Sequence, residues 1–298
     1  MTDPAPLRIG LVGAGPWAAM LHAPMLARSP DVDLVGIWAR RPEAAGALAE
    51  RRHTKAFADL DALMDAVDAL AFAVPPDVQC ELGLQAARAG KHLLLEKPLG
   101  LDLSGASELA AAIEESGVRS QMVLTRRYMP STIAFLDRAA ALGPYGGRAA
   151  AISGAVLGDA PFATPWRMAH GALLDVGPHV IDLLDAAIGP IGDISARGDP
   201  RRYVVLNCEH RHGAVSQAAL SISQPMDGSI WTFELYGAAG VISLEDGGPD
   251  AADQYAAAVA SIPRELAEVV RSGADHPLDA RRGVHLQGLI ERAQRSLA

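Results

Sequence analysis

Apolar and polar positions change their period about two-fifths of the way along the chain. Up to residue 125, short apolar runs alternate with segments of helical spacing. The runs Leu7 to Val12, Val32 to Ala39, His53 to Phe57, Ala69 to Val74, His92 to Leu95 and Ser120 to Thr125 predict strands. The segments Pro16 to Ala27, Pro42 to Arg51, Leu60 to Asp65, Gln79 to Ala89 and Ser104 to Ser116 predict helices. Several of these end on a glycine or proline that cannot continue the element. Strand–helix alternation at this spacing predicts βαβ units and a parallel sheet.

Beyond Arg126 the order is different. After a helix over Pro130 to Leu142, strands follow with short turns between them: Arg148 to Leu157, Ile194 to Gly198, Tyr203 to Glu209, Ala214 to Ser223, Ser229 to Tyr236 and Gly240 to Leu244. One helix, Leu173 to Ile188, interrupts them. Two more close the chain, Asp253 to Ser272, which Pro263 is expected to break, and Asp279 to Ser296. Turns such as His212-Gly213 and Asp227-Gly228 predict a largely antiparallel sheet. The expected fold is therefore an α/β Rossmann domain with a parallel sheet over 1–125 and an α+β domain with a largely antiparallel open sheet over 126–298.

The apolar run Leu7 to Val12 empties into Gly13-Ala14-Gly15-Pro16-Trp17-Ala18. In that pattern Gly13 makes the tight turn, Gly15 lets backbone approach a pyrophosphate, and Ala18 is small enough for close helix–strand packing. The following helix start offers free N–H groups to phosphate. A purely structural glycine turn is the alternative; the strand before and helix after favour a dinucleotide. The second strand ends in Ala39-Arg40-Arg41, where an NAD site carries a carboxylate for the ribose hydroxyls. Arginine pairs with a 2′-phosphate and stacks on adenine. NADP is the preferred cofactor on that reading, with NAD the alternative.

Other chemistry narrows the picture less. A net charge of -9 argues against nucleic acid as main partner. No apolar run is long enough to span a membrane, and Met1-Thr2-Asp3-Pro4 lacks the basic start of a signal peptide. Cys80 and Cys208 show no metal or disulfide spacing, which points to reduced thiols in a cytoplasmic protein. His210 and His212 could share one strand face for a metal, but lack a third ligand, so a solvated turn is preferred and no metal is expected. His22 either approaches the nicotinamide end or simply packs in its helix.

The most specific stretch is Gly90-Lys91-His92-Leu93-Leu94-Leu95-Glu96-Lys97-Pro98-Leu99. Together with Val74-Pro75-Pro76, Arg127-Tyr128-x-Pro130, Trp166-Arg167 and Gly171-Ala172-Leu173-Leu174-Asp175-Val176-Gly177-Pro178-His179, it resembles the glucose–fructose oxidoreductase, inositol 2-dehydrogenase and MocA (Gfo/Idh/MocA) family over nearly the whole chain. The resemblance implies an NAD(P)-dependent oxidoreductase acting on CH–OH groups of sugars, cyclitols or polyols. It implies Lys97, Asp175 and His179 as catalytic residues. Cofactor contacts are expected from Gly13, Gly15, Pro16, Trp17, Ala18, Arg40, Arg41, Val74, Pro75, Glu96 and Lys97. Arg127, Tyr128, Trp166, Arg167 and His170 either line the substrate pocket or pack a junction, and a homodimer or homotetramer through the C-terminal sheet is expected.

The residues support part of that reading on their own terms. Lys97 follows a predicted parallel strand, where open α/β sheets bind ligands, and can stabilise a developing alkoxide. Asp175 and His179 stand four apart on a predicted helix and share one face; by themselves they read as a helix-end charge and a core histidine, and only the resemblance turns them into an acid–base pair. Two departures from the family pattern stand out: Ala169-His170-Gly171 where three glycines are common, and Gln79 where a histidine is common. The competing classes are a non-catalytic nucleotide sensor, and an enzyme that keeps NAD bound for transient oxidation.

Overall fold

A computed structural model describes residues 5–158, 163–245 and 250–297. The Met1–Pro4 segment, read above for a signal peptide, lies outside them. The chain divides into two compact units: Met1–Val123 with Val259–Val284, and Leu124–Ala258 with His285–Ala298. The first division falls two residues before the expected boundary. The segment Val259–Val284 groups with the first unit, although the sequence reading kept 126–298 together.

The first unit is built on a six-stranded parallel sheet of order β3-β2-β1-β4-β5-β6. Its strands are β1 (Leu7–Val12), β2 (Val32–Trp38), β3 (Lys55–Ala56), β4 (Ala69–Phe72), β5 (His92–Leu95) and β6 (Ser120–Met122). The central strands are apolar on both faces: Ile9, Leu11, Val12, Ala69, Leu70, Ala71, Phe72, Leu93, Leu94 and Leu95 are wholly buried. That is the pattern of a parallel sheet covered on both sides by helices. The covering helices are α1 (Ala23–Arg28), α2 (Pro42–Arg51), α3 (Leu60–Ala66), α4 (Pro76–Arg88) and α5 (Leu103–Glu115). Asp59 and Asp102 cap α3 and α5 through side-chain bonds to Ala62 N–H and Gly105 N–H.

The helix expected over Pro16 to Ala27 is not uniform. It opens as a π-helical turn, Ala18–His22, closed by Ala23 N–H to the Ala18 carbonyl, before α1 takes over. An extra residue in the turn is invisible to a 3.6-residue pattern and is a common feature of functional sites.

The second unit carries α6 (Pro130–Leu142), α7 (Pro165–Asp175), α8 (Gly177–Ile188) and a six-stranded sheet of order β12-β11-β7-β10-β9-β8. The strands are β7 (Gly146–Ser153), β8 (Ile191–Asp199), β9 (Tyr203–His210), β10 (Val215–Ser221), β11 (Ser229–Gly237) and β12 (Gly240–Glu245). All pairs are antiparallel except β10 with β7. The single helix expected from Leu173 to Ile188 is instead two that adjoin at Val176, the first starting eight residues earlier, at Pro165.

The closing helices are α9 (Ala251–Ser272) and α10 (Ala280–Arg295). Pro263 does not break α9, which runs on through it. Buried Gln121 donates to the Ile262 carbonyl at 3.1 Å, an added tie beside the proline. Among the described residues no helix is long and apolar enough to cross a membrane.

Candidate functional site

The glycine turn at the end of β1 is shaped by contacts that only glycine allows. Gly13 has φ +120°, and a Cβ there would lie 2.4 Å from the Ala73 carbonyl oxygen. Its N–H donates to the Trp38 carbonyl at 2.8 Å, tying the turn to the end of β2. A Cβ on Gly15 would meet nothing within 4 Å. Ala18 is wholly buried, as close helix–strand packing requires.

Beside this turn, at the carboxyl ends of β1, β2 and β4, lies a cavity of about 480 Å³. Its walls are Gly13, Ala14, Gly15, Trp38, Ala39, Arg40, Arg41, Ala44, Ala73, Val74, Pro75 and Val78. The expected Gly13, Gly15, Arg40, Arg41, Val74 and Pro75 are thus brought together. Trp38 and Val78 join them; the former stands one residue before the segment that drew attention to this strand end. No Asp or Glu lines the cavity, while Arg40 and Arg41 are exposed at its edge, with no carboxylate paired to either guanidinium among the described residues. A site of this size and charge fits part of an anionic dinucleotide.

Pro16, Trp17, Ala18 and Glu96 do not line that cavity. The Trp17 indole N–H donates instead to Glu96 Oε1 at 2.6 Å, and His22 Nε2 meets the same oxygen at 2.7 Å. Glu96 Oε2 accepts the Lys97 backbone N–H at 3.1 Å. Burial pushes the Glu96 carboxyl up, but the His22 hydrogen bond and charge, the Lys97 ammonium and the Trp17 N–H outweigh it and hold it below the usual range. Because the carboxylate only accepts, His22 Nε2 is the donor. His22 is wholly buried, so it packs in the core of the unit.

Lys97 itself is half-buried, just beyond β5, and the Lys97–Pro98 peptide is cis. Gln79 clamps the peptide groups around it. Its Oε1 accepts Glu96 N–H at 2.7 Å, and its Nε2 donates to the Glu96 carbonyl at 2.9 Å and the Leu99 carbonyl at 3.1 Å. The unusual glutamine is therefore a buried fastener of the Lys97 loop. The departure at position 79 was visible in the sequence; the partners, seventeen or more residues away, were not.

In the second unit, Asp175 ends α7 and His179 lies in the first turn of α8. Asp175 is buried and its Oδ1 accepts from Arg167 Nε at 3.1 Å. Gly171 makes this possible. Its φ of +69° interrupts α7, and a Cβ would lie 2.2 Å from the Pro200 carbonyl oxygen. His179 meets the Trp231 ring edge-on at 6.3 Å between centroids, and the Arg126 guanidinium lies 4.2 Å from that ring's centroid. Arg127 Nη1 reaches both oxygens of wholly buried Asp182 at 3.1 Å. Tyr128 is buried, and the rings of Trp166 and His170 pack at 5.6 Å. Trp231, Arg126 and Asp182 had no motif to mark them.

His210 does not sit in a solvated turn. It is buried, Nδ1–H donates to the Gly189 carbonyl at 2.6 Å, and Nε2 accepts from Ser216 Oγ at 2.9 Å. Both nitrogens are thereby engaged in structure.

Comparison with known proteins places this geometry. Residues 7–124 match the model of an oxidoreductase family with an NAD-binding Rossmann fold. Glucose-6-phosphate 3-dehydrogenase of Bacillus subtilis is 34% identical over 41% of the chain and 35% of its own length. A dTDP-3,4-didehydro-2,6-dideoxy-alpha-D-glucose 3-reductase of Streptomyces antibioticus is 28% identical over 81% of the chain and 76% of its own length. The chain thus spans about a third of the first relative and three quarters of the second. Among solved structures, GenD2 from gentamicin A biosynthesis, crystallised in complex with NAD, superposes with a TM-score of 0.88 at 25% identity, covering 99% of this chain and 95% of that one.

Proposed function

We propose that the chain, whose residues 7–124 match an oxidoreductase family with an NAD-binding Rossmann fold, is a member of the Gfo/Idh/MocA family throughout and transfers a hydride between NADP(H) or NAD(H) and a CH–OH or C=O group of a sugar-, cyclitol- or polyol-like substrate. The observation that carries the reading is the cavity at the glycine turn, in the same unit as a lysine loop held by buried hydrogen bonds. A dehydrogenase and a reductase of glucose derivatives among the relatives support the substrate class.

When bound, the nicotinamide accepts or supplies the hydride. The protein's part is binding, orientation and proton handling. Gly13 and Gly15 would hold the pyrophosphate and Arg40 and Arg41 a 2′-phosphate, which favours NADP over NAD. Lys97 donates a hydrogen bond to the reacting oxygen and stabilises its alkoxide character. His179 takes the hydroxyl proton at an imidazole nitrogen during oxidation and returns it during reduction. Asp175, fixed by Arg167, orients this proton transfer. Trp166 and His170 contribute to substrate binding, while Arg127 holds Asp182 and Tyr128 packs in the buried interior.

The same reading extends to assembly and location. Val215, Ile230 and Val241 are exposed on the face of the second sheet opposite its core residues Ala218, Phe233 and Leu235. That face supports a homodimer or homotetramer. The free thiols of Cys80 and Cys208, pushed up by burial to about 11 and about 12, suit a reducing cytoplasm.

The test is turnover followed at the nicotinamide absorbance band with a panel of sugars and cyclitols. Wild type is expected to turn over at least one, and Lys97→Ala and His179→Asn each to lose roughly 10²-fold or more in kcat while still binding nucleotide. Nucleotide binding without any turnover, unaffected by Lys97→Ala, would instead identify a sensor.

A further inference from the structure

The Glu96 carboxylate is buried and accepts from three donors drawn from two segments of the first unit. Trp17 follows directly on the glycine turn, and His22 ends the π-helical turn after it. The third donor is the backbone N–H of Lys97. Burying such a cluster is costly, and a buried charged group is often replaceable by apolar residues of the same volume without loss of stability. Stability alone is thus a poor reason for the arrangement. Direction is a better one, because hydrogen bonds fix where two segments sit relative to each other and apolar contacts do so loosely. The π-helical turn supports this. Its extra residue ends the turn on His22, whose imidazole reaches the same carboxylate oxygen that Trp17 uses. That placement leaves His22 Nδ1 buried with no hydrogen-bond partner among the described residues. A buried nitrogen left so is a cost carried for the sake of the other one.

We propose that Glu96 is a positioning residue that ties the glycine turn to the Lys97 loop through Trp17 and His22, so that a nucleotide seated on the turn finds Lys97 already in place. The inference rests on the hydride-transfer reading above and adds to it a named link between cofactor seat and catalytic lysine. Misplacing a reacting group by about 1 Å costs on the order of 10²-fold in rate. Loosening one tie out of three should cost less than that.

The experiment compares Trp17→Phe, His22→Leu, His22→Gln and Glu96→Gln in the full chain. Trp17→Phe keeps an aromatic side chain, though a smaller one, and removes the N–H without changing any charge, so it is expected to fold even where Glu96→Gln does not. Trp17→Phe and His22→Leu are expected to lower kcat at saturating nucleotide and substrate roughly ten-fold, with nucleotide Kd within about three-fold of wild type. His22→Gln, which retains a donor, should recover most of the loss. Independently of turnover, hydrogen exchange at the Lys97 amide should rise about ten-fold in Trp17→Phe, because its acceptor is released.

Unchanged kcat and unchanged Lys97 exchange in both Trp17→Phe and His22→Leu overturn the proposal. So does a loss confined to nucleotide Kd, which would make Trp17 a simple cofactor contact. A wild-type protein that binds no nicotinamide nucleotide refutes the functional reading instead, and the exchange measurement then decides the tie by itself.

Discussion

Replacing Gln79 by leucine isolates what holds the Lys97 loop in shape. The amide is wholly buried and makes three short bonds of 2.7, 2.9 and 3.1 Å to the peptide groups of Glu96 and Leu99, besides a longer one of 3.4 Å to the Pro98 carbonyl. Leucine fills a similar volume and leaves one N–H and two carbonyls without that partner. Each orphaned buried group costs about 1–3 kcal/mol, and the apolar side chain recovers part of that, so the net loss is roughly 3–5 kcal/mol. For a unit of this size 1 kcal/mol moves the melting point by about 2–4 °C, which gives a drop of roughly 6–20 °C. Because the chain has two units, the assay is calorimetry with the two transitions resolved, and the drop belongs to the first unit's. Gln79→Glu sharpens the reasoning. It can still accept Glu96 N–H, but it cannot donate to two carbonyls and sets a charge against them, so it should lose at least as much. A Gln79→Leu melting point within 2 °C of wild type would show that the loop does not depend on this clamp.

Three further outcomes follow from the same structure. Replacing Arg40 and Arg41 together by serine should weaken NADP roughly ten-fold or more while leaving NAD within about three-fold, measured by calorimetric titration; equal losses for both nucleotides would contradict a 2′-phosphate contact. Burial holds His92 and His210 below the usual histidine range, with Arg119 adding to it at His92. Their folded pKa values lie below the unfolded ~6.5, so the stability they permit is complete above that pH and is lost as pH falls through the folded values. Glu96, also depressed, adds a second loss that starts below about 4.3. A melting point that stays flat from pH 7.5 to 4 sinks this account. Asp182→Ala should destabilise the second unit by about 3–4 kcal/mol by stranding Arg127, the lower part of the range for breaking a buried pair because the arginine is partly exposed. Asp182→Leu combined with Arg127→Met should cost less than Asp182→Ala alone, as read from denaturant melts.

What the sequence made legible is local. The run Leu7 to Val12, the glycine turn, the helix over Pro42 to Arg51 and the strand His92 to Leu95 are found where the apolar pattern put them, because each is set by its own neighbours. Long-range partnerships were not legible. Gln79 meets residues 96–99, and Trp17 and His22 meet Glu96, across more than seventy positions in the latter case. No periodicity encodes such pairs. Arg167 meets Asp175 at a spacing of eight, which a straight helix places more than two turns apart, and only the interruption at Gly171 brings them together. The passage of α9 through Pro263 reflects tertiary packing overriding propensity. The grouping of residues 259–284 with the first unit is of the same kind, since an amphipathic helix does not state which core it will cover.

Calorimetric titration of the purified chain with NADP+ and NAD+ tests the central claim most directly. The cavity at Gly13, Gly15, Arg40 and Arg41 predicts one nucleotide per chain, with NADP+ the tighter of the two. No heat of binding for either nucleotide at millimolar concentration would contradict the account at its base, because the proposed hydride transfer presupposes a bound nicotinamide.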